Sequence, residues 1–409
     1  MKPNQEIRSK QDLLNHFGSS QQLEILNLKQ MKILLEMKVP PEVWEDASNR
    51  NLLSFSQDFV QQTKQFAFSY QNIEYINLLS FLAYLTELNL QNNKIYDVSS
   101  ISKLKTLKKL NLSSNCIEDV SALQSFTDLT HFNLQRNKLT SYTLALPSLV
   151  QLELYVNPLQ DKSGLQHSLQ LQSLNLSQTE TADLRSIPHQ LFGLKDLNLY
   201  RNNLKQISYI SNFVDLQSLS LDCNIYLQNI GPLKFCTQLT KLNISETNVS
   251  DIWPLQFMIN LKTLYMVQTQ VIDLHPLQHL YKLELISAYY TNIIDVSPLS
   301  NLTKLQNLLF GSNKITNVDT LNHHKNFSEY DFTHQKVPTT DELKFYNKIL
   351  SVHSSQKQIR KIEAENRASK FRESMTRQKE SIKFQINEQI QVMNKKIEII
   401  FSHNSYADQ

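Results

Sequence analysis

The sequence predicts an α/β solenoid: a horseshoe of stacked coils with a concave parallel sheet, a helical N-terminal cap and a long C-terminal helix. Three observations carry that prediction. Apolar residues recur on a 22-residue period through the middle two thirds of the 409-residue chain, they alternate within each period as in a short strand, and the composition changes on both sides of the periodic stretch. The divisions fall at 1–62 for the cap, 63–338 for a solenoid of about 12–13 rungs, and 339–409 for a charged helical tail.

The first 60 residues do not scan as repeats. MKILLEMK and PEVWEDASNRNLLSFSQDFVQQ read as short helices around Pro40 and Pro41. An open solenoid needs its first apolar rung covered, and Leu34, Leu35, Val43, Trp44, Phe55 and Phe59 would supply the covering face. LEILNLKQM, from Leu23, has the look of the repeat without its spacing.

The repeat itself is plain from LTELNLQNNKIYDV at Leu85 and LKKLNLSSNCIEDV at Leu107, 22 residues apart, and it continues through LQNLLFGSNKITNV at Leu305. The pattern is L-x-x-L-x-L-x-x-N-x-I. Its Asn position recurs at Asn93, Asn115, Asn137, Asn157, Thr179, Asn202, Asn224, Thr247, Thr269, Thr291, Asn313 and Gln335, eleven steps over 242 residues. Pro232, Pro254, Pro276 and Pro298 keep the same interval. A degenerate rung with Phe66, Phe68, Gln71, Ile73, Ile76 and Leu79 precedes the first full copy.

Each part of the motif has a physical job. L-x-L is a short strand with one face inward. The x-x-N that follows turns the chain, and an amide there can satisfy backbone groups that no strand reaches. A further apolar pair, such as Ile95 and Val98, brings the chain back over the same core. One coil buries too little apolar surface to offset the entropy of ordering its residues, so the coils must stack. Where Thr replaces Asn, the hydroxyl is shorter and has one donor. Those rungs are expected to be held less tightly, with local curvature affected. Phe327, Tyr330, Phe332 and Val337 form a worn last rung expected to close the core.

This pattern resembles the leucine-rich repeat family in its 22-residue class, which includes the leucine-rich regulatory subunit of type 1 protein phosphatase and the internalins. The resemblance covers about Phe66 to Val337. It implies a non-catalytic scaffold that binds a partner protein on its concave face, an adaptor like the phosphatase regulator. A secreted or surface-displayed, adhesin-like solenoid is the alternative, and an enzyme with an unrecognised active site the remote one.

Composition narrows the rest. Lys+Arg is 41 against Asp+Glu 38, so the net charge of +3 argues against a nucleic-acid partner. There are 5 glycines, where average usage would give roughly 28, and no phosphate-cradling Gly loop occurs. No cofactor is expected. No stretch approaches 18 uninterrupted apolar residues, so no membrane span is expected, and no membrane partner is expected either. Three cysteines do not build a disulfide framework, and MKPNQEIRSKQDLLNHFGSS has no apolar run of secretory length. A cytoplasmic protein is the expectation, with the nucleus also open to it.

Candidate chemistry reduces to structure. Asp97, Asp119, Asp251, Asp273 and Asp295 recur after the turn, but each precedes an inward-pointing residue, as a helix-turn cap requires. His275 and His279 have i, i+4 spacing without a third ligand, and His323, His324 and His334 are in the same position. Cys223 and Cys236 lie half a rung apart. No metal site and no enzymatic activity are expected.

The informative residues are the outward ones of each strand. They are polar in the first half. In the second, Tyr265, Val267, Leu285, Tyr289 and Leu309 follow one another on consecutive rungs with Tyr290 beside them, and Tyr155 and Tyr200 precede them. An aromatic patch among polar groups is the usual mark of a protein interface. In the tail, Ile386, Ile390, Met393, Ile397 and Ile400 make about two heptads, and residues 341–409 carry 13 Lys+Arg against 9 Asp+Glu. The 341–402 helix would serve self-association or a partner helix as a coiled coil, or lie solvated or packed back on the solenoid.

Overall fold

Each strand of the repeat is three residues long and centres on the first apolar residue of the L-x-L triplet, which turns into the core while its two neighbours face out. The computed structural model of the chain describes residues 24–26, 53–55, 57–322, 324 and 327–336. All lie in the first of two units, Met1–Pro338 and Thr339–Gln409. The 341–402 helix, Val337, His323 and the cap side chains Leu34, Leu35, Val43, Trp44, Phe55 and Phe59 lie outside this description.

Two N-terminal strands, β1 (Glu24–Leu26) and β2 (Leu53–Phe55), pair with each other in parallel. Thirteen more form one parallel sheet in strict sequence order. They are β3 (Gln65–Ala67), β4 (Glu87–Asn89), β5 (Lys109–Asn111), β6 (His131–Asn133), β7 (Gln151–Glu153), β8 (Ser173–Asn175), β9 (Asp196–Asn198), β10 (Ser218–Ser220), β11 (Lys241–Asn243), β12 (Thr263–Tyr265), β13 (Leu285–Ser287), β14 (Asn307–Leu309) and β15 (Glu329–Asp331). Equivalent residues pair, so Leu88 meets Leu110 and Leu110 meets Phe132. The inward leucines stack into a single fully buried core. The solenoid of the sequence reading is therefore the fold.

Short 3-10 turns carry the chain back over most rungs, and the Asp residues start them. Asp97 Oδ1 accepts the Ser99 N–H at 2.8 Å, Asp119 the Ser121 N–H at 2.8 Å, and Asp251 the Trp253 N–H at 2.8 Å. The Ser121 N–H and hydroxyl, both bonded to its carboxylate, hold the Asp119 pKa below the ordinary value. Pro232, Pro254, Pro276 and Pro298 occupy the first turn of these elements, where a missing N–H costs nothing.

The buried Asn residues clamp coil to coil. Asn115 Oδ1 accepts the Ile95 N–H of the preceding coil at 3.0 Å, and Nδ2 donates to Leu90 O at 3.0 Å and to its own coil's Leu112 O at 2.9 Å. Asn93, Asn137, Asn157, Asn202, Asn224 and Asn313 bond in the same way across the coils. Gln335 ends the series, accepting from Ile315 N at 3.0 Å and donating to Phe310 O at 2.8 Å. Thr247 and Thr269 keep only the bond to their own coil, to Ile244 O at 2.6 Å and Met266 O at 2.9 Å. The residue before each clamp is left-handed without being glycine, as at Asn92 (φ 55), Val156 (φ 54) and Tyr290 (φ 55).

One coil is short. Only 20 residues separate Asn137 from Asn157, and its return path is extended, with Tyr142, Leu144 and Leu146 alternately buried. It pairs with the next coil through Tyr142 N to Asp161 O at 2.8 Å and Gly164 N to Tyr142 O at 2.9 Å. In that next coil Lys162 takes an apolar position, 5% exposed, with its ammonium donating to Leu159 O at 2.6 Å. Burial pulls the Lys162 pKa down, against the attraction of Glu180 and Asp161. Lys162→Met is expected to raise stability at neutral pH by ~1–3 kcal/mol, the cost of a half-satisfied buried cation. Below the depressed folded pKa that cost is complete. Between it and the ordinary value, the unfolded chain keeps a proton that the native state has released, so wild-type stability rises with pH. Urea melts at neutral and at alkaline pH should show the variant's advantage shrinking as pH rises. An advantage that is absent at neutral pH counts against this account.

Two expectations are corrected. Within PEVWEDASNRNLLSFSQDFVQQ, which reads as helical, Leu53–Phe55 is a strand (β2) while Gln57–Gln62 (α1) is helical, and the rest of that helical reading lies outside the described residues. A short apolar run suits a strand as well as a helix, and long-range pairing decides between them. Tyr330 reads as part of the closing rung of the core, yet it is 68% exposed at the outer edge of the sheet. Phe327 and Phe332 do pack against the core, Phe332 stacking on Phe310 at 5.8 Å between ring centroids.

Candidate functional site

Parallel register lines the outward residues into columns that run along the concave face. From β4 to β11 the middle column is mostly Asn, and its amides are committed: Asn111 Oδ1 accepts the Ser113 N–H at 3.0 Å and Asn133 Oδ1 the Gln135 N–H at 3.0 Å. Much of the polarity of this face therefore ends the strands. Over β3 to β7 the sheet cups a depression of about 490 Å³ lined by Glu87, Lys109, His131 and Glu153 among others. Lys109 Nζ pairs with Glu87 there at 2.9 Å, while Glu153 accepts from the neutral Gln151 amide at 3.0 Å.

The other end differs. Tyr265 pairs in register with Ser287, and Ser287 with Leu309, while Leu285 sits between Thr263 and Asn307. Tyr265, Leu285 and Leu309 are each half-buried around a buried Ser287. Val267 and Tyr289 occupy the next column, also half-buried, and Tyr290 at the rim is 62% exposed with its ring 6.4 Å from that of Tyr289. The patch is thus one surface built by three adjacent strands.

Tyr289 is held in place. Its hydroxyl donates to Asp331 Oδ2 at 2.7 Å, two coils on. The ring crosses Gly311, where an added Cβ would sit 2.7 Å from its Cε1. This glycine serves close approach. The Asp331 carboxylate pushes the Tyr289 phenol up to about 12, and the Thr333 N–H, chief among its donors, holds Asp331 below the ordinary range. At neutral pH the bond is a phenol donating to a carboxylate.

Tyr155 and Tyr200 stand apart from this patch, on β7's and β9's coils with Ser177 between them. Tyr155 lies under the Arg136 guanidinium at 5.5 Å, and the Tyr200 pKa is raised chiefly by its bond with Cys223. Burial, then the Glu246 carboxylate, pushes the Cys223 thiol up to about 11, so it is protonated at neutral pH. His275 bonds Asp273 at 2.6 Å and His279 bonds Tyr281 at 3.2 Å, so the two rings serve separate turns. Cys236 is buried in the core.

Sequence reasoning passed over Ser173, Asn175 and Ser177, although Leu171, Leu174 and Leu176 mark that strand. It also passed over Gly311 and Asp331. Neither has a local signal, since their importance comes from a ring placed by another coil. A second exposed set, Leu169, Phe192, Ile259 and Tyr281, recurs four residues before its strands.

A solenoid of parallel coils, each ended by a buried turn amide or hydroxyl and presenting one side chain array on a concave sheet, is an interaction scaffold by class. The family described as Leucine Rich repeats (2 copies) matches residues 85–125. An internalin of Listeria monocytogenes, inlF, is similar at 27% identity and a TM-score of 0.56, over 70% of this chain and 78% of that one. A leucine-rich repeat protein of Leptospira interrogans, LIC12759, aligns at 21% identity and a TM-score of 0.57, over 80% of each chain. No curated protein matches the sequence. The chain is a leucine-rich repeat protein.

Proposed function

We propose that the chain is a non-catalytic adaptor of the cytoplasm that binds a partner protein on its concave face, in the manner of a phosphatase regulator. The supporting observation is the Tyr265, Leu285 and Leu309 cluster: three large side chains half-exposed on adjacent strands of an otherwise polar sheet. Val267, Tyr289, Tyr290 and the separate Tyr155 and Tyr200 extend the contact. Aromatic anchors of this kind carry most of an interface's energy.

Affinity capture from cell extract, followed by titration of the captured partner, tests the reading. Tyr265→Ala/Leu309→Ala is expected to weaken binding by ~30-fold or more, at 1–3 kcal/mol per anchor. A double variant that keeps every partner at wild-type affinity would remove the concave patch from consideration. The 341–402 segment is proposed as a second contact, self-association being one of its uses. Sedimentation of the intact chain as a monomer at all concentrations would dismiss that use.

A further inference from the structure

The charge around the patch specifies the partner further, on the reading that the patch is the docking site. From β10 to β15, the outward columns and the turn residues that follow them carry four carboxylates, Asp222, Glu246, Glu329 and Asp331, against one lysine, Lys241. None of the four has an ion pair to Lys or Arg among the described residues. Asp222 accepts the Ser220 hydroxyl, Glu246 the Cys223 thiol at 3.3 Å, Glu329 the Asn307 amide at 3.1 Å, and Asp331 the Tyr289 hydroxyl at 2.7 Å. Two other carboxylates do find cations: Glu87 on β4 with Lys109 on β5 at 2.9 Å, and Glu284 with Lys262, one residue before β13 and β12 and outside these columns, at 3.3 Å. The apolar cluster is therefore flanked on both sides by uncompensated negative charge, with the Glu246 and Asp222 coils before it and the Glu329 and Asp331 coil after it.

We propose that the partner presents a basic segment to this end of the concave face, an apolar side chain entering between Tyr265, Leu285 and Leu309 while flanking Lys or Arg residues meet the carboxylates on either side. Tyr289 fits a cation well. Its ring is fixed across Gly311 with a carboxylate at its hydroxyl, so a guanidinium can lie on the ring and pair with Asp331 at once. A neutral or acidic partner would leave four carboxylates facing it without gain.

Selection of random dodecapeptides displayed on phage against the intact chain tests this, followed by titration of the enriched peptides. The comparison proteins are Tyr265→Ala/Leu309→Ala and the charge-neutral triple variant Glu246→Gln/Glu329→Gln/Asp331→Asn, whose amide at the last position keeps an oxygen for the Thr333 N–H. The expected result is enrichment of net-positive peptides carrying Leu, Phe or Trp. Their affinity should fall about tenfold in the triple variant and with rising salt, and be lost in the double variant. Neutral or acidic peptides that need Tyr265 and Leu309 but ignore the triple variant would overturn the basic partner while sparing the docking site. No enrichment, or peptides of any charge that ignore the double variant, would overturn both.

Discussion

Asn224→Ala is expected to cost ~3–5 kcal/mol of stability, the larger of the two effects with the greatest reach. Asn224 is fully buried and stands between two coils. Its Oδ1 accepts the N–H groups of Asn202 and Leu204, each at 3.0 Å, and its Nδ2 donates to Leu199 O at 3.0 Å and Leu221 O at 2.7 Å. Alanine leaves two donors and two acceptors without partners in a dry interior, at ~1 kcal/mol or more each. Asn224→Thr should cost about half as much, because a hydroxyl can keep the bond to Leu221 O, as Thr247 keeps the one to Ile244 O. Urea denaturation followed by circular dichroism measures both. In a stack of near-independent coils the loss also has a signature: the transition splits at the weakened joint. A single transition within ~1 kcal/mol of wild type would show that the amide clamps matter little.

Gly164→Ala should cost ~3 kcal/mol or more, the upper part of the range for overpacking. The new methyl would meet Leu144 N and O at 2.7 Å and Thr143 C at 2.8 Å. All three atoms are backbone, so no side chain can swing aside. The crowding follows from the short coil between Asn137 and Asn157, whose extended return path is drawn against its neighbour. Gly193→Ala is the control, since nothing lies within 4 Å of an added Cβ there. Its thermal midpoint should match or slightly exceed the wild type's. Equal midpoints for the two alanine variants would mean the coils separate at little cost.

The solenoid was legible because its causes are local. A leucine at each inward position, an amide at most turns, an aspartate before many return segments and a proline in several of them all announce themselves in one coil and recur in the next. What escaped has causes in other coils. The strand at 53–55, within a stretch that reads as helix, exists because 24–26 lies beside it. Tyr142, Leu144 and Leu146 form an extended return only because two residues are missing from that period. At the site, Tyr265, Leu285 and Leu309 could be placed on one face by counting. The grip of Asp331 on Tyr289 could not, because it spans 42 residues and depends on a glycine in the coil between.

The threonines at 247, 269 and 291 fall on consecutive coils, directly beneath Tyr265, Leu285 and their neighbours. Thr247 and Thr269 make no clamp to the coil before them, and Thr291 shares its hydroxyl between Ala288 O and the Asn313 amide oxygen. At these levels the joints lack the buried amide clamp to the coil before and rest on the sheet ladder, aliphatic packing and backbone bonds past the turn, such as Asn248 N to Leu227 O and Gln270 N to Val249 O, each at 2.9 Å. The stack therefore has a section with fewer buried side-chain clamps than the coils on either side, and it lies under the aromatic wall. A guest entering there is expected to meet less resistance to local opening of the arc than at the Asn-clamped levels.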